Sequence, residues 1–370
     1  MIYQSNPKAN YLCHKPEIEA AVKGVLESGR YILGNEVSSF EDEFAYYLRV
    51  AHAVGVNSGT DALELSLRAC GVGCGDFVVT VSHTAVATVA SIIRANAQPV
   101  FADIDPQSLA IDPQHLEGLL EKWKGPRPKA IIPVHLYGQP VDMLPILEIA
   151  RRYGLFVVED CAQAHGAAIN GRKVGAWGDL GCFSLYPTKN LGALGDGGIV
   201  VTNDDKLFEQ VVLLREYGWQ TRYVSKIRGT NSRLDEIQAA ILRVKLRYLD
   251  DENERRRMIA KVYTKSLSGS GLTLPKLIRG TVPVFHQYVI RSKERNALQA
   301  KLKEQGIGTA IHYPVPIHKQ EAYCDRLFSP LPLTHTEKVV SQILSLPMYP
   351  ELTDREIERV IRAVLMFTKN

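Results

Sequence analysis

GCFSLYPTKNLGALGDGG, residues 181–198, is the stretch on which the reading of this chain turns. It opens as a short apolar strand, breaks at Pro187, presents Lys189 and then enters a glycine-rich turn. Proline removes a ladder donor and glycine frees the backbone, so the lysine is expected on a loop at a strand end. A lone lysine is ordinarily a solvated charge. This one has company: Ser184 lies just upstream, Asp160 follows an earlier predicted strand, and a small-residue turn occupies residues 57–60.

Outward from that stretch, strands and helices alternate. Strands are predicted at 53–56, 77–81, 99–102, 130–134, 156–158 and 199–202, and helices at 61–69, 85–95, 115–120, 144–153 and 205–217. Amphipathic helices at 15–28 and 38–48 precede them. Such alternation predicts an α/β domain built on a mainly parallel sheet covered by helices. Ligands of such sheets sit beyond the carboxyl ends of the strands, and His83, His135 and Asp160 all fall there. The turn at 57–60 feeds a helix, placing free backbone N–H groups and the positive dipole end at one point, which suits a phosphate. Taken alone, the same residues are also ordinary caps and turn formers.

Residues 215–231 are polar and aromatic without a strong period and read as a long functional loop. Helices at 234–249 and 252–267 follow, then strands around 282–290 and helices at 297–304 and 354–368. The chain is therefore divided into a large domain, 1–249, and a smaller α+β domain, 250–370.

Composition narrows the function classes. The 370 residues are 45% hydrophobic and 23% charged, as in ordinary globular proteins. A net charge of +4 with no long basic run offers no nucleic-acid arm. Arg255, Arg256 and Arg257, with Lys261 nearby, read as a solvated helix face. No segment reaches the apolar length of a membrane span, and MIYQSNPKAN lacks an apolar h-region. The six cysteines (Cys13, Cys70, Cys74, Cys161, Cys182, Cys324) are scattered without zinc spacing. Reduced thiols in a cytoplasmic protein are expected, and no metal site.

The phosphate-type turn, the ring of His83, the strand-end Asp160 and Lys189 together match what pyridoxal phosphate needs. Its aldehyde needs an amine, its pyridine nitrogen a carboxylate, its phosphate N–H and hydroxyl donors, and its ring a flat neighbour. Each residue has a commonplace alternative: Asp160 as a cap, His83 as a packed core histidine, Ser184 bonded to its own backbone. The glycines of 192–198 lack Walker spacing and read as turn formers. Co-occurrence carries the reading.

GVNSGTDAL, VEDCAQAHGA, FSLYPTKNLGALGDGG and GTNSRLDEIQAAIL resemble the DegT/DnrJ/StrS family of sugar aminotransferases, in the right order over essentially the whole chain. The resemblance implies fold type I of the pyridoxal-phosphate enzymes. It implies that Lys189 binds the cofactor and shuttles protons, that Asp160 pairs with the pyridine nitrogen, and that Gln163 bonds the ring hydroxyl. His83 would stack on the ring, and Gly59, Thr60 and Ser184 would hold the phosphate. Asn231 would reach the phosphate of the other subunit, so a homodimer with shared active sites is implied. The related sugar dehydratases carry histidine where this chain has Lys189.

Enzymes of the family acting at C4 tend to have histidine before the proline and Thr-Thr-Gly-Glu-Gly after the lysine. This chain has Tyr186 before Pro187 and NLGALGD at 190–196. With SHT at 82–84, VHLYGQPVDM at 134–143 and HYPVPIH at 312–318, it is similar to enzymes aminating C3 of a dTDP-linked 3-keto-6-deoxyhexose with L-glutamate as donor. Tyr186, His312, Tyr313 and His318 become candidates for the sugar-nucleotide pocket. A C4 aminotransferase, a dehydratase and a non-catalytic regulatory homologue are the alternatives.

Overall fold

The alternation closes into one seven-stranded sheet in a computed structural model, which describes residues 1–323 and 329–368. Its strands are β1 (His52–Val56), β2 (Phe77–Val81), β3 (Gln98–Ala102), β4 (Ala130–Ile131), β5 (Phe156–Asp160), β6 (Leu180–Ser184) and β7 (Gly198–Thr202). Their spatial order is β1-β7-β6-β5-β4-β2-β3. β7 runs antiparallel to both neighbours, and the remaining pairs are parallel. FVVTV and GIVVT are near-continuous apolar runs because helices cover both faces of such a sheet.

The register assembles one rim. Gly198 pairs with Val56 on one side and Ser184 on the other, so β1 and β6 end together where β7 begins. Asp160 pairs with Cys182, two residues short of Ser184. The helix Gly59–Ala69 starts at that point, with the Ser58 hydroxyl accepting the Asp61 N–H at 3.1 Å. This capping draws Gly59 and Thr60 into the first helical turn, two residues earlier than expected from the sequence.

A second core gathers Ile259, Tyr263, Leu298, Leu302, Val360 and Val364 around the antiparallel pair Tyr288–Arg291 and Ile343–Leu346. Ile2 joins it through a bridge to Ile307. The helix Leu249–Leu267 runs from the main core, where Leu249 sits, into this second one. Val284, Val289 and Ile343 belong to the main core, so the two pack directly on each other.

Three expectations change in detail. The strand expected over 130–134 forms a ladder only at Ala130–Ile131 and a bridge at Val134, because Pro133 cannot donate. The strand expected over 282–290 splits into Thr281–Val282 and Tyr288–Arg291. Pro283 and the positive φ of Phe285 (42°) take the chain out of the ladder there. The loop over 215–231 contains a small hairpin, Trp219–Thr221 with Val224–Ser225.

Glu236 is 2% exposed and closes the start of the helix Asn35–Leu48, accepting the N–H groups of Gly34, Glu36 and Val37 at 2.7–2.9 Å. A carboxylate there answers both the orphan donors and the dipole. Cys13, Cys70, Cys74, Cys161 and Cys182 are free thiols, and Cys324 lies outside the described residues. Among the described residues, no helix is long and apolar enough to cross a membrane.

Candidate active site

Lys189 sits on a turn pinned from several sides. Its N–H donates to Tyr186 O at 2.9 Å, and Ala193 N–H returns to Leu185 O at 2.8 Å. The Lys245 ammonium donates to Gly192 O, and Gln238 Oε1 accepts the Leu194 N–H at 2.9 Å. Gly192 has no side chain because one would strike Pro187 O at 2.6 Å. The turn is therefore rigid around its lysine. Burial pushes the Lys189 ammonium down to about 8 against the pull of the Asp160 carboxylate.

Lys189 and Asp160 line one cavity of about 220 Å³ at the rim, with Gly59, Thr60, Gln163 and Ser184. A larger groove of about 1400 Å³ between the helices Lys15–Ser28, Asn35–Leu48 and Glu236–Leu246 holds neither residue. Convergent chemistry, not size, selects the smaller space.

Asp160 is 5% exposed. Its Oδ2 accepts the Thr88 hydroxyl at 2.7 Å and its Oδ1 the Ala162 N–H at 3.1 Å. Burial raises its pKa, and these two hydrogen bonds with the Lys189 charge act the other way. Since the Thr88 proton points at the carboxylate, Thr84, 2.9 Å away, donates to Thr88. Thr88 escaped the sequence reading. The available signal was threonine at i and i+4, just after β2.

At the opposite end, the N–H groups of Gly59 and Thr60 have no protein acceptor among the described residues, as the first two donors of a helix should. Ser184 brings its hydroxyl alongside, and a Cβ on Gly59 would stand 2.6 Å from the Ser184 Cβ. Gly59→Ala is thus expected to separate the helix start from Ser184. Overpacking of about 1–3 kcal/mol corresponds to roughly a five- to 150-fold weaker hold on a phosphate ligand. Titration of the apo-protein with pyridoxal phosphate reads this directly; an unchanged Kd sinks the assignment.

His83 lies just before the lining residue Thr84 and is 1% exposed. The Tyr137 hydroxyl donates to His312 O and therefore accepts from His83 Nε2 at 3.0 Å. That leaves His83 Nδ1 a bare acceptor without a partner among the described residues. Burial drops its pKa to about 4, so the ring is neutral. Gln163, which lines the cavity, accepts the Tyr137 N–H at 2.6 Å and donates to the Tyr313 hydroxyl at 3.1 Å.

Tyr186 lines the cavity and is 51% exposed. His312 bonds Ser345 Oγ through Nδ1 at 2.8 Å. His318 has both nitrogens engaged, Nδ1 with Ser82 Oγ at 2.8 Å and Nε2 with Glu337 at 3.1 Å. It fastens the 312–319 loop to the end of β2. Asn231 is exposed on the 215–231 arm and does not line this cavity of its own chain.

His135, Glu159 and Cys161 cluster beneath the rim. Glu159 accepts from Gly175, Trp177 and Gly178 N–H groups and from His135 Nε2 at 3.0 Å, while His135 Nδ1 accepts the Val141 N–H. These lone pairs tie loops to β5.

The residues fit pyridoxal phosphate: an amine, a buried carboxylate and unpaired helix-start donors converge where a Cβ on Gly59 would obstruct. Lys189 and Asp160 would hold its aldehyde and nitrogen, and Gly59, Thr60 and Ser184 its phosphate.

Comparison with known proteins agrees. Residues 12–365 match the model of the DegT/DnrJ/EryC1/StrS aminotransferase family. The chain is 47% identical to the dTDP-3-amino-3,6-dideoxy-alpha-D-galactopyranose transaminase of Aneurinibacillus thermoaerophilus, over 95% of each chain. It is 46% identical to a pleiotropic regulatory protein of Geobacillus stearothermophilus, over 96% of this chain and 95% of that one. A solved structure of S. venezuelae DesV in complex with a ketimine intermediate superposes with a TM-score of 0.96 at 44% identity, covering 100% of this chain and 99% of that one.

Proposed function

The chain belongs to the DegT/DnrJ/EryC1/StrS aminotransferase family, and from that membership we propose that it moves an amino group from L-glutamate to C3 of a dTDP-linked 3-keto-6-deoxyhexose. The observation that carries the reaction type is the meeting of Lys189 with Asp160 in one cavity whose far end is an open helix start.

Bound there, pyridoxal phosphate supplies the electron sink and stores the amino group between the two halves of the transfer. The chain's own residues do the rest. With a pKa of about 8, roughly a tenth of Lys189 is unprotonated at pH 7, against about 0.03% for an ordinary lysine. It can attack a carbonyl and, with pyridoxal phosphate bound, would move a proton between the cofactor carbon and a substrate carbon. Asp160, held by Thr88 and Ala162, would keep negative charge beside the ring nitrogen. Gly59 and Thr60 offer two N–H groups at the positive end of an 11-residue helix. Asp61 beside them is neutralised by Arg94 at 3.0 Å.

Amination at C3 is supported by the residues around the lysine and by the similarity to the Aneurinibacillus transaminase. Tyr313 reaches the cavity-lining Gln163 through its hydroxyl, and His312 is tied to Tyr137 through its carbonyl, which puts this loop next to the cavity and suits a role toward the sugar. A homodimer with Asn231 completing the partner's phosphate site fits an arm that exposes Tyr217, Tyr223 and Val224 to solvent. A cytoplasmic location accords with the free thiols.

The test follows the visible absorption of the cofactor-loaded protein. Glutamate should bleach the band, and dTDP-3-keto-6-deoxyglucose or its galacto epimer should restore it, with the amine at C3 by NMR of the product. Recovery only with a 4-keto or UDP-linked sugar overturns the substrate. Absence of bleaching favours a regulatory role of the kind named for the Geobacillus relative.

A further inference from the structure

Asn190, the residue after Lys189, is 5% exposed and bonds three partners that come from far along the chain. Its Nδ2 reaches Asn253 Oδ1 at 2.8 Å and Val284 O at 3.0 Å, and its Oδ1 meets His286 Nδ1 at 3.2 Å. Backbone carbonyls only accept, which fixes the direction of every bond. Asn253 Nδ2 donates to His165 O at 2.8 Å, so Asn253 offers its oxygen to Asn190. Asn190 Nδ2 donates to that oxygen and to Val284 O, so Asn190 Oδ1 accepts from His286 Nδ1–H.

His286 Nε2 is then bare and accepts from Gln287 Nε2 at 3.3 Å, while Gln287 Oε1 accepts from Gln4. A one-way chain of donors results, running Gln4, Gln287, His286, Asn190, Asn253 and His165 O. His286, Gln287 and Asn253 are all at most 6% exposed. A protonated His286 would set an Nε2–H against the Gln287 amide hydrogens and a positive charge toward Lys189. Burial first, then the Lys189 and Arg256 charges, hold its pKa far below the ordinary value.

We propose that His286 is a positioning residue for Lys189: as the neutral Nδ1–H tautomer it holds Asn190, and so makes the placement of the lysine depend on the seating of residues 284–287. The inference rests on Lys189 being the reactive amine. Three features support it over plain packing. Among the described residues the backbone bond at Lys189 itself goes only to Tyr186, three residues away, so Asn190 is the nearest anchor to the rest of the molecule. Residues 283–287 cross between two ladders, Val282 pairing with Ala168 and Tyr288 with Leu346, and this crossing delivers Val284 O and His286 to Asn190. Gln4 and Gln287 continue the chain to the N-terminal segment that packs on the second core, so domain seating is communicated through bonds of fixed polarity.

The experiment uses the cofactor-loaded protein with glutamate alone, so that the identity of the sugar acceptor does not enter. If glutamate fails to bleach wild type, the functional reading has failed, not this one. His286→Leu should slow bleaching at saturating glutamate about tenfold through misplacement of the lysine, with the half-saturating concentration nearly unchanged. His286→Asn, which retains a donor at the Nδ1 position, should recover most of that loss. The double variant Asn190→Ala/His286→Leu should be no slower than the slower single variant. In the ¹⁵N spectrum of histidine-labelled wild type, the imidazole lost in His286→Asn should be an Nδ1–H tautomer that does not titrate between about pH 6 and 8. An Nε2–H tautomer, undiminished bleaching in His286→Leu, additive losses, or no rescue by asparagine each overturns the proposal. The wild-type spectrum decides it even where His286→Leu does not fold.

Discussion

Lys189→Ala should lower turnover about 10⁴-fold, the upper range for removal of a general acid–base group, because the same amine also binds the cofactor. Folding should survive. The lysine lies on a turn held by Tyr186, Lys245, Gln238 and the Asn190 side chain, none of which needs its ammonium. Its depressed pKa records that the site disfavours the charge, so truncation relieves a desolvation cost. The variant should keep pyridoxal phosphate through Gly59, Thr60, Ser184 and Asp160, but borohydride should no longer fix the cofactor to the chain. Added methylamine should restore part of the glutamate half-reaction by carrying the proton in place of the side chain. Turnover within tenfold of wild type would remove Lys189 from the mechanism.

Asp160→Asn should cost roughly 10²–10³-fold, the range for losing one preorganised electrostatic contact at a reacting group. The amide is nearly isosteric and can still accept from Thr88 or Ala162. What it loses is the charge that keeps a ring nitrogen protonated. Two side effects carry opposite signs to the activity loss. Without the carboxylate, the pull that raises the Lys189 pKa disappears, so the lysine of the apo-protein should react faster with an amine-selective reagent near neutral pH.

The second side effect is on stability. Asp160 has a raised folded pKa, so it favours the fold below its unfolded value of about 3.9, and that contribution is lost as pH rises through the raised value. Above that raised value the wild-type apo-protein bears the cost of a buried charge, and there Asp160→Asn should melt no lower than wild type. A slower enzyme with a more reactive lysine and an undiminished Tm separates electrostatic loss from damage to the fold. A variant of normal activity would place the carboxylate elsewhere.

The central sheet was readable because its strands declare themselves locally. FVVTV and GIVVT are apolar throughout, and amphipathic helices stand between such runs. Lys189 was readable for a related reason, since Pro187 and the glycines bracket it within a few residues. The failures are equally instructive. Pro133 and Pro283 lie within segments read as continuous strands, and a missing N–H ends a ladder whatever the flanking pattern suggests. The hairpin inside 215–231 is short and polar, and gives no period of two.

Residue types, turn chemistry and hydrophobic period determined by themselves that this chain would build a helix-covered parallel sheet with a lysine, a carboxylate and a phosphate-type turn at strand ends. They also identified the family, because several motifs stand in order along one chain. Tertiary structure alone decided that Thr88 holds Asp160 across 72 positions, that His318 is fastened to Ser82 across 236, and that His286 meets Asn190 across 96. Local sequence fixes φ and ψ and the nearest donors and acceptors. Which distant polar groups share a buried space depends on strand order and the meeting of two cores, and there each unpaired group costs about 1–3 kcal/mol until a partner is found.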